Sequence, residues 1–220
     1  MSRDYLIYEN AGLRDSFESI GSLNLFMVCE ELKADAFCSL PQGYSSRLAR
    51  RDELDAWKHT AVEEPYVKAV ADYYENIYAK NEEEFFRRCT FICNSEDKPV
   101  ATAFIWRSYG KINTLAWLRV LPGEEGKGIG RALLSVILKT AECPVYIHTQ
   151  PTSVCAVKLY SDFGFKLITN PVVGHRKNNL NESLPYLQKV MTGENYAKLQ
   201  FTGADSSLHA AALSSEVSEF

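Results

Sequence analysis

Apolar residues recur along the chain with two different spacings, and the change between them divides the sequence into regions. Over residues 13–37 the apolar positions are three and four residues apart, which predicts an amphipathic helix. The stretch EEPYVKAVADYYENIYAKNEEEFFRR, residues 63–88, has helical spacing too, and Pro65 lies near its first turn, where proline is tolerated. Between these segments we expect a short strand that ends near Ala49 and a helix capped by Asp52.

After residue 88 the pattern changes to short runs rich in β-branched and aromatic residues. Three such runs, CTFICN, PVATAFIWR and INTLAWLRV, are separated by the turn-like segments NSEDKP and SYGK, which predicts an antiparallel meander. A helix over residues 128–141, a strand VYIHT, a helix over residues 153–163 and a strand beginning near Phe165 follow. This order predicts an α+β fold, with a mixed, mostly antiparallel sheet flanked by helices and one crossover helix.

These regions predict three parts of the chain. We expect an N-terminal helical extension over residues 1–40, a central domain over residues 41–180 and a C-terminal helical tail over residues 181–220. The tail contains two short helical patterns, ESLPYLQKV and GENYAKLQF, and a small, acidic end that is typical of frayed termini. The added helices offer a docking surface for a partner or a second copy, which leaves a homodimer open.

Composition excludes several classes of protein. The 220 residues are 46% hydrophobic and 24% charged, as in ordinary globular proteins, and the net charge of −4 gives no basic footprint for nucleic acid. No apolar run approaches the ~18 residues of a membrane span, and the N-terminus has no signal-peptide pattern, so we expect a cytoplasmic protein that is not in a membrane.

The six cysteines do not have the spacing of a metal site. No C-x-x-C pair occurs, and no histidine lies at zinc-finger spacing from a cysteine. Cys89 and Cys93 share one face of a predicted strand, where two small buried hydrophobic side chains are the simpler interpretation. The sequence therefore predicts no bound metal and reduced thiols.

The stretch GEEGKGIGRALLSVILK, residues 123–139, places glycines directly before an apolar helix. Backbone N–H groups at a helix N-terminus are unpaired and favour an anion, and glycine lets a phosphate approach the backbone closely. Gly126, Gly128 and Gly130 form G-x-G-x-G, which is neither the P-loop nor the dinucleotide-binding pattern. Taken alone, the stretch is equally typical of a flexible turn before a helix.

Two longer segments carry a family resemblance. VLPGEEGKGIGRALL resembles motif A of the GNAT superfamily of N-acetyltransferases, roughly V-x-P-x-x-[RQ]-G-x-G-[IL]-G-x-x-L-L. Downstream, SVCAVKLYSDFGF is similar to the superfamily's N-x-x-A-x-x-L-Y-x-x-x-G-F motif, and the resemblance covers roughly residues 43–168. It implies a GNAT fold and direct transfer of an acetyl group, in a ternary complex, from acetyl-CoA to a primary amine of a small molecule or peptide.

The resemblance also implies which residues hold acetyl-CoA. The pyrophosphate is expected on the backbone amides of residues 125–131, and pantetheine between two splayed strands, beside Leu118 and Val120, whose N–H would stabilise the oxyanion. Glu125 stands where the family has Arg or Gln, and we expect binding to survive because the backbone amides remain. Ser153 stands where the family has Asn, and it either donates a hydrogen bond to pantetheine or caps the following helix. The implied cofactor-binding residues are Leu118, Val120, Glu125, Gly126, Lys127, Gly128, Ile129, Gly130, Arg131 and Ser153.

Two residues are candidates for proton transfer. By the resemblance, Tyr160 in the L-Y-x-x-x-G-F motif gives a proton to the leaving thiolate; the alternative is a ring that packs and binds pantetheine. His148 is a candidate base because its ordinary pKa lies near neutral pH, whereas a structural role and a relay through water are the alternatives. Trp106 and Trp117 either line the acceptor cavity or belong to the core.

The acceptor amine stays open at this stage. Residues 52–78 are acidic and rich in tyrosine, which suits a cationic amine, but a solvated helix face is the alternative. A different class of function is a non-catalytic sensor that binds acyl-CoA with a GNAT fold. Product formation from a panel of amines distinguishes the enzyme from the sensor.

Overall fold

The computed structural model describes residues 22–220, so the first part of the predicted N-terminal helix lies outside the described residues. The strands are β1 (Leu25–Cys29), β2 (Ser45–Leu48), β3 (Thr90–Cys93), β4 (Pro99–Ser108), β5 (Ile112–Val120), β6 (Val145–Thr149), β7 (Lys166–Ile168), β8 (Val172–Val173), β9 (Arg176–Lys177) and β10 (Phe201–Thr202). The α-helices are α1 (Leu54–Ala61), α2 (Val67–Tyr73), α3 (Glu82–Arg88), α4 (Ile129–Leu138), α5 (Val154–Asp162), α6 (Leu180–Val190), α7 (Gly193–Ala197) and α8 (Ser206–Leu213).

Eight strands form a mixed, mostly antiparallel sheet flanked by helices, while β8 and β9 form a separate hairpin. The predicted α+β fold class is therefore confirmed. The described chain divides into two compact units: a meander unit of residues 36–107 and 113–142, and a tail unit of residues 22–35, 108–112 and 143–220. The predicted boundaries at residues 40 and 180 stay a prediction.

The meander unit contains the strands in the order β5, β4, β3, β2, so the predicted neighbours β3, β4 and β5 are joined at the edge by β2. β3 pairs antiparallel with β2 and with β4, so that Thr90 lies opposite both Leu48 and Ala103. One face of these strands is covered by an aromatic core in which Trp57 is fully buried and packs edge-on against Phe85 at 4.8 Å between ring centroids. Aromatic rings bury large apolar areas, so this cluster anchors α1 and α3 on the meander.

The predicted helix over residues 63–88 is helical but not continuous. It consists of a 3₁₀ turn (Glu64–Tyr66), α2, a π-helical turn (Tyr74–Tyr78), a second 3₁₀ turn (Ala79–Asn81) and α3. The π turn brings Tyr74, Ile77 and Tyr78 into the core together. Pro65 occupies the start of the first turn, as expected.

The prediction that Asp52 caps a helix is wrong. Asp52 lies inside a 3₁₀ turn (Arg51–Glu53), and α1 begins two residues later, at Leu54. Glu53 makes the local contacts instead: its carboxylate accepts from the backbone N–H of Arg50 at 2.9 Å and from the guanidinium of Arg47 at 2.7 Å. The ion pair with Arg47 is the main cause that lowers the pKa of Glu53.

The tail unit is built around β1, where the sequence predicts a helix. All five residues of LFMVC are buried, and β1 pairs antiparallel with both β6 and β7, with Met27 opposite Ile147 and Leu167. The helix prediction is therefore wrong at residues 25–29. A short, continuous apolar run has no period that separates a doubly covered strand from a buried helix.

The end of the chain also differs from the prediction. The two predicted tail helices are present as α6 and α7, but α7 ends at Ala197, and Phe201 then begins β10, parallel to β7. The prediction of a frayed end is wrong. Phe220 is buried, and its ring lies 5.6 Å from that of Phe26 between centroids. The Glu219 carboxylate accepts a hydrogen bond from the Tyr109 backbone N–H at 3.0 Å. Burial of the Phe220 ring therefore orders the end of the chain, although the residues around it are small and polar.

Candidate functional site

The glycine-rich turn between β5 and α4 has a backbone that depends on glycine. Gly123, Gly126 and Gly128 have φ values of +87°, +76° and +82°, a region that side chains disfavour. A Cβ added at Gly126 would meet nothing within 4 Å, so the backbone conformation rather than crowding requires glycine there. Gly128 is the N-cap of α4 and provides no side-chain cap, which leaves the first-turn amides for another hydrogen-bond acceptor.

One carboxylate organises the charges of this turn. Glu124 Oε2 accepts hydrogen bonds from Lys127 Nζ at 2.8 Å and from the Tyr44 hydroxyl at 2.6 Å. The Lys127 ammonium, followed by Tyr44, lowers the pKa of Glu124, and Glu124 in turn raises the pKa of Lys127. This network is not among the predictions from the sequence. The spacing of Glu124 and Lys127 is a readable signal, but Tyr44 lies 80 residues away in the chain.

The other charged residues of the turn have different surroundings. Glu125 is exposed and has no hydrogen-bond or ion-pair partner among residues 22–220. Arg131 Nη1 donates to the carbonyl oxygen of Ala36 at 3.2 Å. The Glu124 contact therefore occupies the Lys127 ammonium, and Glu125 remains an isolated surface charge.

β5 carries an irregular residue immediately before the predicted pantetheine positions. Trp117 has a φ of +54°, which is rare for a bulky side chain and interrupts regular strand geometry. Its indole N–H donates to the Tyr78 hydroxyl at 2.7 Å, and its ring packs against that of Tyr73 with 5.5 Å between centroids. Leu118 and Val120 follow in the half-buried end of the strand. Local strain of this kind is often found beside functional sites.

The inner side chains of the acidic, tyrosine-rich helices belong to the core. Their outer side chains form a solvated face rather than the lining of an open cavity. Tyr74, Tyr78 and Trp106 are buried in the aromatic core. Carboxylates on the outer side form surface pairs, such as Asp72 with Lys68 at 3.0 Å. These contacts favour the structural alternative for most of the aromatic residues, whereas Trp117 stays half-buried.

The remaining predicted site residues, His148, Ser153 and Tyr160, belong to the tail unit, while the glycine turn and β5 from residue 113 onward belong to the meander unit. His148 Nδ1 accepts from Arg176 Nη1 at 3.3 Å, and Nε2 donates to Asn24 Oδ1 at 2.9 Å. Burial, with a smaller contribution from Arg176, lowers the pKa of His148 from 6.5 to about 4. The ring is therefore neutral at pH 7, and both nitrogens are already hydrogen-bonded.

Tyr160 lies on α5, and Ser153 directly precedes this helix. Tyr160 is buried, its ring contacts Phe165 at 5.7 Å, and its hydroxyl has no hydrogen-bond partner in the described part of the chain. Burial raises the pKa of Tyr160 above its ordinary value, so the phenol keeps its proton at neutral pH. Ser153 is the N-cap of α5 as predicted, although its side chain makes no capping hydrogen bond.

Residues 22–220 contain no group of three or more His, Cys, Asp or Glu side chains arranged to hold a metal ion. All six cysteines are free thiols, and burial raises the pKa of Cys89 to about 12 and that of Cys93 to about 11. The prediction of two buried hydrophobic cysteines is confirmed. Within the same residues, no helix has the length and apolar character needed to cross a membrane.

Several solved structures are similar to the chain. A GNAT-family acetyltransferase from Colwellia psychrerythraea is 18% identical over 66% of this chain and 53% of its own, with a TM-score of 0.48. A GCN5-related N-acetyltransferase from Sphaerobacter thermophilus is 16% identical over 66% and 49%, with a TM-score of 0.43. A tandem GNAT protein from the clavulanic acid biosynthesis pathway is 13% identical over 71% and 55%, with a TM-score of 0.49. The chain thus spans about half the length of these proteins.

The family itself is shown by sequence. No curated protein matches the chain significantly. The sequence profile of the acetyltransferase (GNAT) family, however, matches residues 50–165, more than half of the chain and the part that includes the glycine turn and α5. This protein belongs to the GNAT acetyltransferase family.

Proposed function

We propose that the protein is an acetyl-CoA-dependent N-acetyltransferase that acts on a primary amine of a small molecule or peptide. The observation that carries the proposal is the turn before α4, in which Gly126 and Gly128 have left-handed backbones and the N-cap residue, Gly128, has no side chain to cap the helix. Such a turn offers uncapped amides and the positive end of a helix dipole to a pyrophosphate. Family membership supports acyl transfer in general; the acetyl donor and the amine acceptor are our proposal.

In the proposed reaction, a neutral amine attacks the thioester carbonyl while both substrates are bound. The C–N bond forms, the carbonyl becomes a tetrahedral oxyanion near the N–H of Val120, and the C–S bond then breaks. Tyr160 gives its phenolic proton to the departing CoA thiolate and regains one from solvent. The position of Tyr160 in the L-Y-x-x-x-G-F motif supports this role; the phenol is protonated at neutral pH, and burial, which raises its pKa further, makes it a weaker acid.

The proton released by the amine needs a separate acceptor. His148 serves as this base only if Arg176 leaves Nδ1, since the other ring nitrogen is engaged as a donor to Asn24. A relay through water needs no such rearrangement. The protonation state of His148 in the free protein, neutral at pH 7, is compatible with either route.

A matched pair of substitutions at one position tests acetyl-CoA binding by the glycine turn. Asn and Asp both tolerate left-handed backbone and both cap helices well, so Gly128→Asn and Gly128→Asp are expected to fold. Both place a Cβ where the pyrophosphate approaches, but only Asp adds a negative charge. We expect calorimetry to show weakened binding in the Asn variant and no measurable binding in the Asp variant. Unchanged affinity in both would refute the proposed site.

A further inference from the structure

A cavity lies in the meander unit, away from the glycine turn. It has a volume of about 620 Å³ and is lined by the end of α4 with the following residues to Glu142, by the end of α3, and by parts of β2, β3, β4 and β5. The glycine turn precedes the opposite end of α4. A ten-residue helix is ~15 Å long, so the cavity and the glycine turn are separate places.

Arginine dominates the charge of this cavity. Three arginines and two glutamates line it, which leaves one excess positive charge in a chain of net charge −4. Both oxygens of Glu84 are already engaged, one by Arg88 Nε and the other by Arg87 Nη2 at 3.2 Å. These two arginines lie in the last turn of α3, where they also offset the negative end of its dipole.

Arg107 differs from the other two arginines. It is exposed near the end of β4, and it has no hydrogen-bond or ion-pair partner in the described part of the chain. Beside it, the Asn113 side chain donates to the backbone carbonyl of Glu142 at 2.8 Å, which fixes the rim of the cavity. All five donors of the Arg107 guanidinium therefore remain available to a ligand.

The other part of the lining is apolar. Leu48 is 49% exposed, and it lines the cavity together with Ile105, Val136 and Ile137. The volume falls within the range of roughly 300–1,000 Å³ found for small-molecule sites. A guanidinium next to aliphatic side chains is suited to a molecule with one acidic head group and an apolar body.

We propose that this cavity binds a small organic anion, with its phosphate or carboxylate group on Arg107 and its apolar part against Leu48 and Val136. The guanidinium holds two oxygens of the head group in a bidentate manner. This site is separate from the acetyl-CoA turn, and its occupation does not depend on the proposed transferase reaction.

Amide resonances of the ¹⁵N-labelled full chain test the proposal, with phenyl phosphate as the probe and inorganic phosphate as its head group alone. We expect phenyl phosphate to shift the amides of Asn113, Ala141 and Glu142 in a saturable manner, and inorganic phosphate to bind there more weakly. Arg107→Gln should raise the dissociation constant about tenfold, because a charge-assisted bidentate contact is lost. Arg107→Lys keeps the positive charge but cannot make the bidentate contact, so its dissociation constant should lie between those of the wild type and Arg107→Gln.

The control is Arg50→Gln, which removes an exposed arginine that does not line the cavity and should leave the affinity unchanged. Arg107→Gln should fold normally, since Arg107 has no partner to lose among residues 22–220. The proposal is overturned if the three amides show no saturable shift, or if Arg107→Gln binds as tightly as Arg50→Gln. Equal affinities for inorganic phosphate and phenyl phosphate would overturn the apolar part of the site.

Discussion

At the scale of single residues, the hydroxyl of Tyr160 can be tested without disturbing the fold. Tyr160→Phe keeps the ring that packs against Phe165 and removes only the hydroxyl that we propose as the proton donor. We expect kcat to fall roughly 10²-fold or more, with little change in acetyl-CoA affinity. Steady-state kinetics and calorimetry on the same variant measure both quantities. An unaltered kcat would reduce Tyr160 to a packing residue.

Glu125 is the residue that departs most from the family pattern at the proposed pyrophosphate site. Because it is exposed and unpaired in the described chain, its charge should oppose acetyl-CoA only through water. Glu125→Arg should tighten binding by a factor of about two to five at low salt, and the gain should shrink towards ~0.5 M salt.

The neighbouring Glu124 is the matched control for this effect, since it carries the same charge but holds Lys127 and Tyr44. Glu124→Gln removes the carboxylate that holds Lys127. It should change the salt dependence of acetyl-CoA binding because it releases the Lys127 ammonium. Weaker acetyl-CoA binding by Glu125→Arg at low salt would show that Glu125 does not lie beside the pyrophosphate.

His148 makes stability depend on pH. Its pKa is about 4 in the folded protein and near 6.5 when unfolded, so the unfolded chain takes up the proton first as the pH falls. The stabilisation is complete above pH 6.5 and is lost between pH 6.5 and 4, by about 3 kcal/mol in total. Urea unfolding at several pH values should therefore show a steeper acid loss for the wild type than for His148→Gln. Parallel curves would contradict a buried neutral His148.

At the scale of elements, β5 is tied to the end of α1 by one guanidinium. Arg119 Nη1 donates to the carbonyls of His59, Thr60 and Val62, at 3.3, 3.1 and 2.8 Å. Arg119→Met keeps the aliphatic stem but leaves these helix-end carbonyls without their cation. We expect a loss of about 1–2 kcal/mol in the free energy of unfolding. Arg107→Met makes the same chemical change without a partner and should stay within about 0.5 kcal/mol of the wild type.

The elements also show what local sequence can and cannot predict. The meander, α4 and the glycine turn are predicted because their patterns are local. The meander has β-branched runs, α4 has helical spacing, and the turn has closely spaced glycines, which the structure places at positive φ. β1 is mistaken for a helix because LFMVC has no period of its own, and its identity as a strand comes from pairing with β6 and β7 more than 100 residues away. Tertiary pairing outweighs spacing in such a run.

At the scale of the whole molecule, the family motifs predict the fold class better than the apolar patterns predict the structure of the two terminal parts. The α+β sheet is present, but β1 and β10, from the two parts predicted to be helical additions, pair with β7. The buried Phe220 and the contacts of Tyr44 and Arg119 are long-range, so no window of the sequence displays them. The roles of Tyr160 and the glycine turn remain predictions from motifs, to which the structure adds a protonated phenol and an uncapped helix.

The central claim is that the protein transfers an acetyl group from acetyl-CoA to an amine. The most direct measurement is thiol release from acetyl-CoA across a panel of polyamines, aminoglycosides and lysine peptides, with mass spectrometry of the acetylated product. We expect release to depend on the amine, to match the product mole for mole, and to disappear in Gly128→Asp. Saturable acetyl-CoA binding without amine-dependent release from any member of the panel would contradict it and favour the acyl-CoA sensor.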